Sequence, residues 1–173
     1  MSKNKSDRTP LKLPFYRPTP ASLLDDELYK VFLTAAFLAE HEGKDYVSTT
    51  TFVKALVHRS PENISDLFER LPSGAIPEPQ IVNEGRQIDG AESLASLEKL
   101  KSFSPCINSA MENLTPKVDD KTERKLSSKD VFVDIARYSG GKSTQLLRSH
   151  GVSKEKLETL VEDLGWELIE RDS

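Results

Sequence analysis

Cysteine is nearly absent from this chain of 173 residues, since Cys106 is the only one. A single thiol cannot form an internal disulfide and cannot supply a cysteine-based zinc site. The chain also lacks any run of about 18 apolar residues, the length that a membrane-spanning helix needs, and its first residues lack an apolar signal segment. These absences predict a soluble cytoplasmic protein, or one in an organellar stroma after removal of a targeting peptide.

An excess of positive charge is also lacking. The 24 lysines and arginines are outnumbered by 28 aspartates and glutamates, which gives a formal net charge of −4. This balance gives no general reason to bind nucleic acid or an acidic membrane. Apolar residues make up 36% and charged residues 30%, a composition typical of a modest core flanked by polar segments.

Catalytic and metal-binding patterns are absent as well. The three histidines, His41, His58 and His150, lie far apart, and none has a second histidine at metal-ligand spacing. No serine, threonine or cysteine lies in a recognisable nucleophile motif with a base. We therefore predict no catalytic residue, no metal site and no cofactor.

One stretch of sequence occurs twice. Residues 47–60 and 126–139 lie 79 positions apart, and each begins with an aliphatic residue followed by serines or threonines. Apolar residues then recur at helical spacing, and a hydroxyl group before such a run is a helix start signal. The similarity continues on both sides at the same offset without a gap. A period this long predicts a duplicated helical subdomain rather than a solenoid.

The order of these signals predicts an all-α chain in five parts. Four prolines indicate an extended or disordered arm at the start, and prolines and glycines later punctuate a linker with a short helix over residues 91–101. The first helix of repeat one is expected to begin near Ala21 and Ser22. The five parts are the arm (1–21), repeat one (22–71), the linker (72–103), repeat two (104–165) and a tail (166–173).

Three aromatic residues are candidates for partner binding. Phe15 and Tyr16 lie in a proline-stiffened strip, which is typical of an extended docking motif; alternatively, both rings fold onto the core of the chain. Trp166 either packs the last helix onto the bundle or, if exposed, forms a binding hot spot.

The repeat resembles the Clp N-terminal domain, the duplicated helical domain that precedes the ATPase rings of Clp-type unfoldases. An alanine-rich first helix (Ala35, Ala36 and Ala39) is followed by Tyr-Val-Ser-Thr-Thr-Thr-Phe-Val-Lys-Ala-Leu over residues 46–56. Residues 146–152, Leu-Leu-Arg-Ser-His-Gly-Val, match the end of the family's second repeat. Ser48 stands where the family usually has glycine, and Thr50 and Thr51 replace its Glu-His pair.

The resemblance implies a pseudo-twofold bundle of about eight helices that binds proteins. The expected partners are a Clp ATPase or protease component, an adaptor, or a substrate segment. The chain is too short for an AAA+ module, so the resemblance implies a stand-alone, non-catalytic adaptor or accessory subunit.

Residues 139–144, Ser-Gly-Gly-Lys-Ser-Thr, resemble a phosphate-binding loop. A Walker A motif needs glycine five positions before Gly141, where Ala136 stands, and the preceding residues have helical rather than strand spacing. The corresponding residues of the first copy are Pro61 and Glu62. The pattern therefore predicts a turn between helices.

Residues 145–157 have the outline of a helix-turn-helix, which makes nucleic-acid binding the alternative function. Lys142, Arg148, Lys154 and Lys156 make this region locally basic. Acidic residues of the final helix, including Glu155, would however repel phosphates.

Overall fold

The computed structural model of the protein describes residues 12–59, 62–77, 90–118 and 123–172. Within these ranges the chain is mostly helical, which confirms the all-α class. Its α-helices are α1 (Asp26–His41), α2 (Thr49–Arg59), α3 (Glu62–Phe68), α4 (Gly90–Lys99), α5 (Pro105–Leu114), α6 (Ser128–Tyr138), α7 (Lys142–Ser149) and α8 (Lys154–Asp163). Two-residue strands form an antiparallel pair, β1 (Lys12–Leu13) with β2 (Thr19–Pro20), and a parallel pair, β3 (Tyr46–Val47) with β4 (Ser102–Phe103).

Helix α1 lies at the centre of the core. Every residue from 31 to 39 is buried, which is expected of a helix whose residues are apolar or small on all sides. The small side chains of Ala35, Ala36 and Ala39 limit the bulk of this helix, and α2 and α4 pack against it. No helix of the described ranges is long and apolar enough to cross a membrane.

The start of α1 differs from the prediction. Ala21–Leu23 forms a short 3₁₀ turn, and the α-helix begins only at Asp26. Leu24 forms a bridge with Leu126, which holds the main chain extended at this point. Asp25 consequently becomes the N-cap, and its carboxylate accepts a hydrogen bond from the Leu28 N–H at 2.7 Å.

Two short main-chain pairings connect distant parts of the chain. Leu24 pairs with Leu126, and Val47 pairs with Phe103, both in parallel. The Asp25 N–H donates to the Leu126 carbonyl at 2.8 Å, and the Ser104 N–H donates to the Val47 carbonyl at 2.7 Å. A helix follows each of the four paired segments within a few residues, so these pairings position the starts of α1, α2, α5 and α6.

Residues 12–20 form a hairpin-like segment that closes over the core. Leu13 and Phe15 are buried, and the Phe15 ring lies 5.1 Å from the Phe32 ring and 4.5 Å from the Phe103 ring between centroids. Residues 12–20 of the predicted arm are therefore packed against the core. Residues 1–11 lie outside the described ranges.

The linker contains a regular helix, as its leucine spacing predicts. Helix α4 begins at Gly90 and packs along α1, with Leu97 and Leu100 buried. Its Ser96 hydroxyl and Lys99 ammonium both donate to the Glu40 carboxylate, at 2.7 and 2.9 Å. Residues 78–89 of the predicted linker lie outside the described ranges.

Asn108 on α5 ties three main-chain groups together. Its side-chain amide donates to the Phe103 carbonyl at 2.8 Å and to the Ser104 carbonyl at 3.1 Å. Its carbonyl oxygen accepts from the Tyr16 N–H at 2.5 Å. Because Asn108 is only 1% exposed, water cannot replace these hydrogen bonds without local opening.

Replacing Asn108 with Ala should leave the Tyr16 N–H and the Phe103 carbonyl without a partner. Since an unsatisfied buried polar group costs about 1–3 kcal/mol, we expect the free energy of unfolding to fall by about 2 kcal/mol in urea denaturation. The control is Asn113→Ala on the exposed side of the same helix. This substitution should change the free energy of unfolding by less than about 0.5 kcal/mol. Equal losses in both variants would contradict this role for Asn108.

The Asp25 carboxyl gives an expected pH dependence. Its burial raises its pKa above the ordinary value of 3.8, and the nearby charges of Asp130, Glu27 and Asp26 act in the same direction, against the hydrogen bond from Leu28. The folded chain therefore binds this proton more tightly than the unfolded chain, so ionisation of Asp25 lowers stability. Asp25→Asn, which keeps the N-cap acceptor, should be more stable than wild type at pH 7.

This advantage of Asp25→Asn should shrink as the pH falls through the raised pKa towards 3.8, when the wild-type carboxyl becomes neutral too. Thermal unfolding followed by circular dichroism between pH 3.5 and pH 7, conditions that span this titration, measures the difference. Asp25→Ala is the control, because it lacks both the carboxyl and the N-cap and should stay about 1 kcal/mol less stable than Asp25→Asn over the whole range. A constant difference between Asp25→Asn and wild type over the whole range would argue against the raised pKa.

Candidate partner-binding surfaces

Helix α6 carries two buried carboxylates one turn apart. Asp130 is 1% exposed and Asp134 is 4% exposed, although both lie on a helix whose other buried residues are mainly apolar. Buried carboxylates need hydrogen-bond donors or a cation, because their desolvation is otherwise very costly. Residues 166–172, called the strap below, run along this side of α6 and supply those partners.

The Asp130 carboxylate accepts hydrogen bonds on both oxygens. One oxygen accepts from the N–H of Ser127 at 2.9 Å and from its hydroxyl at 2.8 Å, which completes a capping box at the start of α6. The other accepts from the Ile169 N–H at 2.8 Å and from the Arg124 guanidinium at 3.2 Å. One carboxylate thus caps the start of α6 and fixes the main chain of the strap.

The Asp134 carboxylate holds Arg171 in a two-point ion pair. The guanidinium donates to its two oxygens at 2.9 and 2.5 Å. These hydrogen bonds raise the pKa of Arg171 above its ordinary value, against the opposing effect of partial desolvation. The same guanidinium lies 4.3 Å from the centre of the Tyr138 ring, a cation–π arrangement that suits the planar arginine group.

Further ion pairs surround the strap at the protein surface. Arg137 binds Glu158 on α8 through two hydrogen bonds of 2.6 Å and also pairs with Glu170 of the strap. Lys117 pairs with Asp172. The glutamates and Asp172 are substantially exposed, so these pairs contribute less to stability than the buried contacts of Asp130 and Asp134.

A cavity of about 190 Å³ opens beside the strap between α5, α6 and the turn before α7. Its lining includes the half-buried thiol of Cys106, the Ser109 side chain, and the Asp134–Arg171 ion pair. Tyr138, which is 47% exposed, lies at this cavity. The mixed lining combines charge, an aromatic face and a thiol in one small space.

The three candidate aromatic residues lie in different environments. Phe15 is only 5% exposed and contacts core phenylalanines, which is the alternative in which its ring folds onto the core of the chain. Tyr16 is 63% exposed on the same segment and is available for contact. Trp166 is half-buried at the start of the strap, with the Lys129 ammonium 5.6 Å from its ring centre.

The Ser-Gly-Gly-Lys segment is a turn between α6 and α7, as predicted. The Gly141 N–H, which a bound phosphate would require, donates to the Ser139 hydroxyl at 2.9 Å. A side chain at Gly141 would come within about 3.2 Å of the Thr49 hydroxyl and the Cys106 sulfur. The turn therefore packs closely against α2 and α5, and a larger residue at Gly141 would push these side chains aside by a few tenths of an ångström.

The three histidines differ in their exposure. His41 and His150 are exposed, whereas His58 is half-buried and desolvation lowers its pKa, with the adjacent Arg59 acting in the same direction. Among the described residues, no three His, Cys, Asp or Glu side chains are grouped so as to hold a metal ion.

Helices α7 and α8 have the outline of a helix-turn-helix, joined through Gly151 with φ +84°. Ser153 caps α8 by accepting from the Lys156 N–H at 3.1 Å. The exposed residues of α8 are mixed in sign, because Glu155 stands between Lys154 and Lys156 and the acidic Glu162 and Asp163 are exposed near its end. This surface lacks the continuous positive charge typical of phosphate contact.

No protein-family model matches this chain, and no curated protein matches it.

Sequence reasoning missed the two carboxylates of α6 and their partner Arg171. The detectable signal was the pair Asp130 and Asp134 at helical i, i+4 spacing within an otherwise apolar stretch, since carboxylates on a buried face require a donor elsewhere. No spacing rule identifies that donor, because Arg171 lies in a segment without regular structure.

The Asp134–Arg171 ion pair should be a major contribution to strap stability. Arg171→Ala leaves a nearly buried carboxylate without its cation, and we expect a loss of about 2–3 kcal/mol in the free energy of unfolding. The control Lys117→Ala removes an exposed pair with Asp172 and should cost less than about 1 kcal/mol. A double-mutant cycle with Asp134→Asn measures the coupling; purely additive losses would contradict a direct interaction.

Proposed function

We propose that this chain is a non-catalytic protein-binding module of the Clp N-terminal domain type. In this proposal two copies of one helical repeat form a pseudo-twofold bundle of about eight helices. The module acts as an adaptor or accessory subunit that docks substrates, adaptors or the body of a Clp-type machine.

The pair of main-chain bridges carries this proposal. Leu24 pairs with Leu126, and Val47 pairs with Phe103. Both members of the first pair lie 79 positions from a member of the second, since Leu24 corresponds to Phe103 and Val47 to Leu126. Each half thus offers the other the same contact, which is the exchange expected of a twofold arrangement of two repeats.

The helix starts follow the same relation. Asp25 and Ser104 accept from the N–H groups of residues 28 and 107, and Ser48 and Ser127 accept from those of residues 51 and 130. Thr49–Arg59 and Ser128–Tyr138 have equal lengths at the same offset. These coincidences support descent of both halves from one repeat.

The exposed Tyr16 supports a protein-binding role. Asn108 fixes the main chain of this residue at 2.5 Å, and Phe15 anchors the segment in the core. A large aromatic side chain on a fixed backbone loses little conformational entropy when a partner covers it. Tyrosine is also among the residues that contribute most to protein interfaces.

Capture experiments with the purified chain and native lysate from its own cells test the proposal. We expect enrichment of a Clp ATPase, a Clp protease subunit or an adaptor, identified by mass spectrometry. Tyr16→Ala should lower the affinity about 30-fold, as for a hot spot of about 2 kcal/mol. The matched control is Tyr46→Ala, because Tyr46 is 41% exposed at a different surface position.

Absence of every Clp component from the captured proteins would reject the proposal, and equal losses in both tyrosine variants would remove Tyr16 from the binding surface. The alternative, nucleic-acid binding through α7 and α8, predicts a mobility shift at low salt that weakens steeply as salt is added. We expect none, because α8 presents mixed charges.

A further inference from the structure

We propose that the side of α6 formed by Asp130 and Asp134 is a groove for an extended peptide in which an aliphatic residue is followed two positions later by arginine. The strap occupies this groove as an exchangeable intramolecular ligand. The proposal deepens the protein-binding function above, on which it rests, by naming a site and a peptide class.

The spacing of the two carboxylates matches an extended chain. Residues four apart on an α-helix differ by about 6 Å along its axis, and residues two apart in an extended chain differ by about 6.6 Å. Asp130 accepts from the Ile169 N–H and Asp134 from the Arg171 side chain. One turn of α6 therefore recognises positions n and n+2 of an extended segment running in the same direction.

The two positions provide different kinds of recognition. The hydrogen bond to Asp130 comes from a main-chain N–H, which every residue except proline supplies. The contact to Asp134 is bidentate, and the guanidinium also lies on the Tyr138 ring, so it selects arginine over lysine by geometry. Two nearly buried carboxylates make the groove complementary to a basic residue.

Other strap residues define what the groove tolerates. Trp166, Leu168 and Ile169 are half-buried against the core, whereas Glu167 and Glu170 are exposed. A peptide thus needs apolar side chains on the inward positions, while its outward positions face solvent and a glutamate at the position of Glu170 also pairs with Arg137.

The strap lies at the surface of the protein, as an exchangeable segment must. None of its residues is fully buried, and several of its ion pairs are exposed. It follows Gly165, whose φ of +69° marks a sharp change of chain direction that glycine adopts without strain. Release of the strap leaves the hydrogen bonds within α6 intact, because they lie inside that helix.

Fluorescence anisotropy of a labelled peptide with the sequence of residues 165–173 tests the exchange. The full chain with Ile169→Pro and Arg171→Ala is the opened protein, since these changes remove the main-chain donor and the guanidinium from the strap. We expect the peptide to bind the opened chain at least tenfold more tightly than wild type, whose own strap competes at an effective concentration of about 1 mM.

Matched variants separate this site from non-specific binding. A peptide with Arg171→Lys should bind the opened chain at least fivefold more weakly, and Asp134→Asn in the opened chain should abolish that preference. Circular dichroism checks that each variant is folded. Binding that is absent in a folded opened chain, or indifferent to the arginine, overturns the proposal.

Hydrogen exchange on the wild-type chain provides a second test that needs no variant. The Ile169 amide should exchange at least tenfold faster than the Ile135 amide inside α6, because release of the strap precedes unfolding of the helix. Equal rates would mean that the strap is released only when the whole fold opens, which would overturn the proposed exchange of the strap for a peptide.

A concentration-dependent dimer of wild type, lost in Arg171→Ala, would assign the groove to a second copy of this chain and reject a partner peptide. Failure of the Clp capture experiment with successful peptide binding would leave the groove in place and reject only the Clp assignment.

Discussion

Two short main-chain pairings position the starts of four helices, and the remaining architecture depends on them. Because Leu24 pairs with Leu126, the N-cap regions of α1 and α6 lie side by side; because Val47 pairs with Phe103, those of α2 and α5 do too. Helix N-termini carry partial positive charge, so adjacent termini attract capping acids. This proximity explains why the charge of Asp130, at the start of α6, contributes to raising the pKa of Asp25, at the start of α1.

The positions of the helices could be predicted from the sequence, because they depend on the spacing of apolar residues and on capping residues. The starts of α2 and α6, proline at the first position of α5, and the end of α7 before Gly151 are all local signals, and the structure confirms them. The start of α1 was predicted too early because the competing interaction is a pairing with Leu126, about 100 residues away. Long-range pairings of this kind override local helix signals.

The candidate binding surface was harder to predict from the sequence, because it too depends on long-range contacts. Tyr16 and Phe15 look alike in sequence, yet one is exposed and the other fills a phenylalanine cluster with Phe32 and Phe103. In sequence, the two aspartates of α6 resemble the exposed acidic residues of any amphipathic helix. They are buried because residues 166–172 cover them. Local patterning identifies which residues form helices, whereas the burial of a charged residue depends on which distant segment lies over it.

The bridge between Leu24 and Leu126 has a consequence for how the protein is made on the ribosome. At usual rates of translation, roughly 5 to 20 seconds pass between the synthesis of these two residues. During that interval the first half has helix-forming sequence but lacks the main-chain partners that complete it. The apolar surface of helix α1 is then partly exposed until the residues that cover it in the folded protein have been synthesised. A nascent chain of this kind has a period of exposure during which molecular chaperones can bind it.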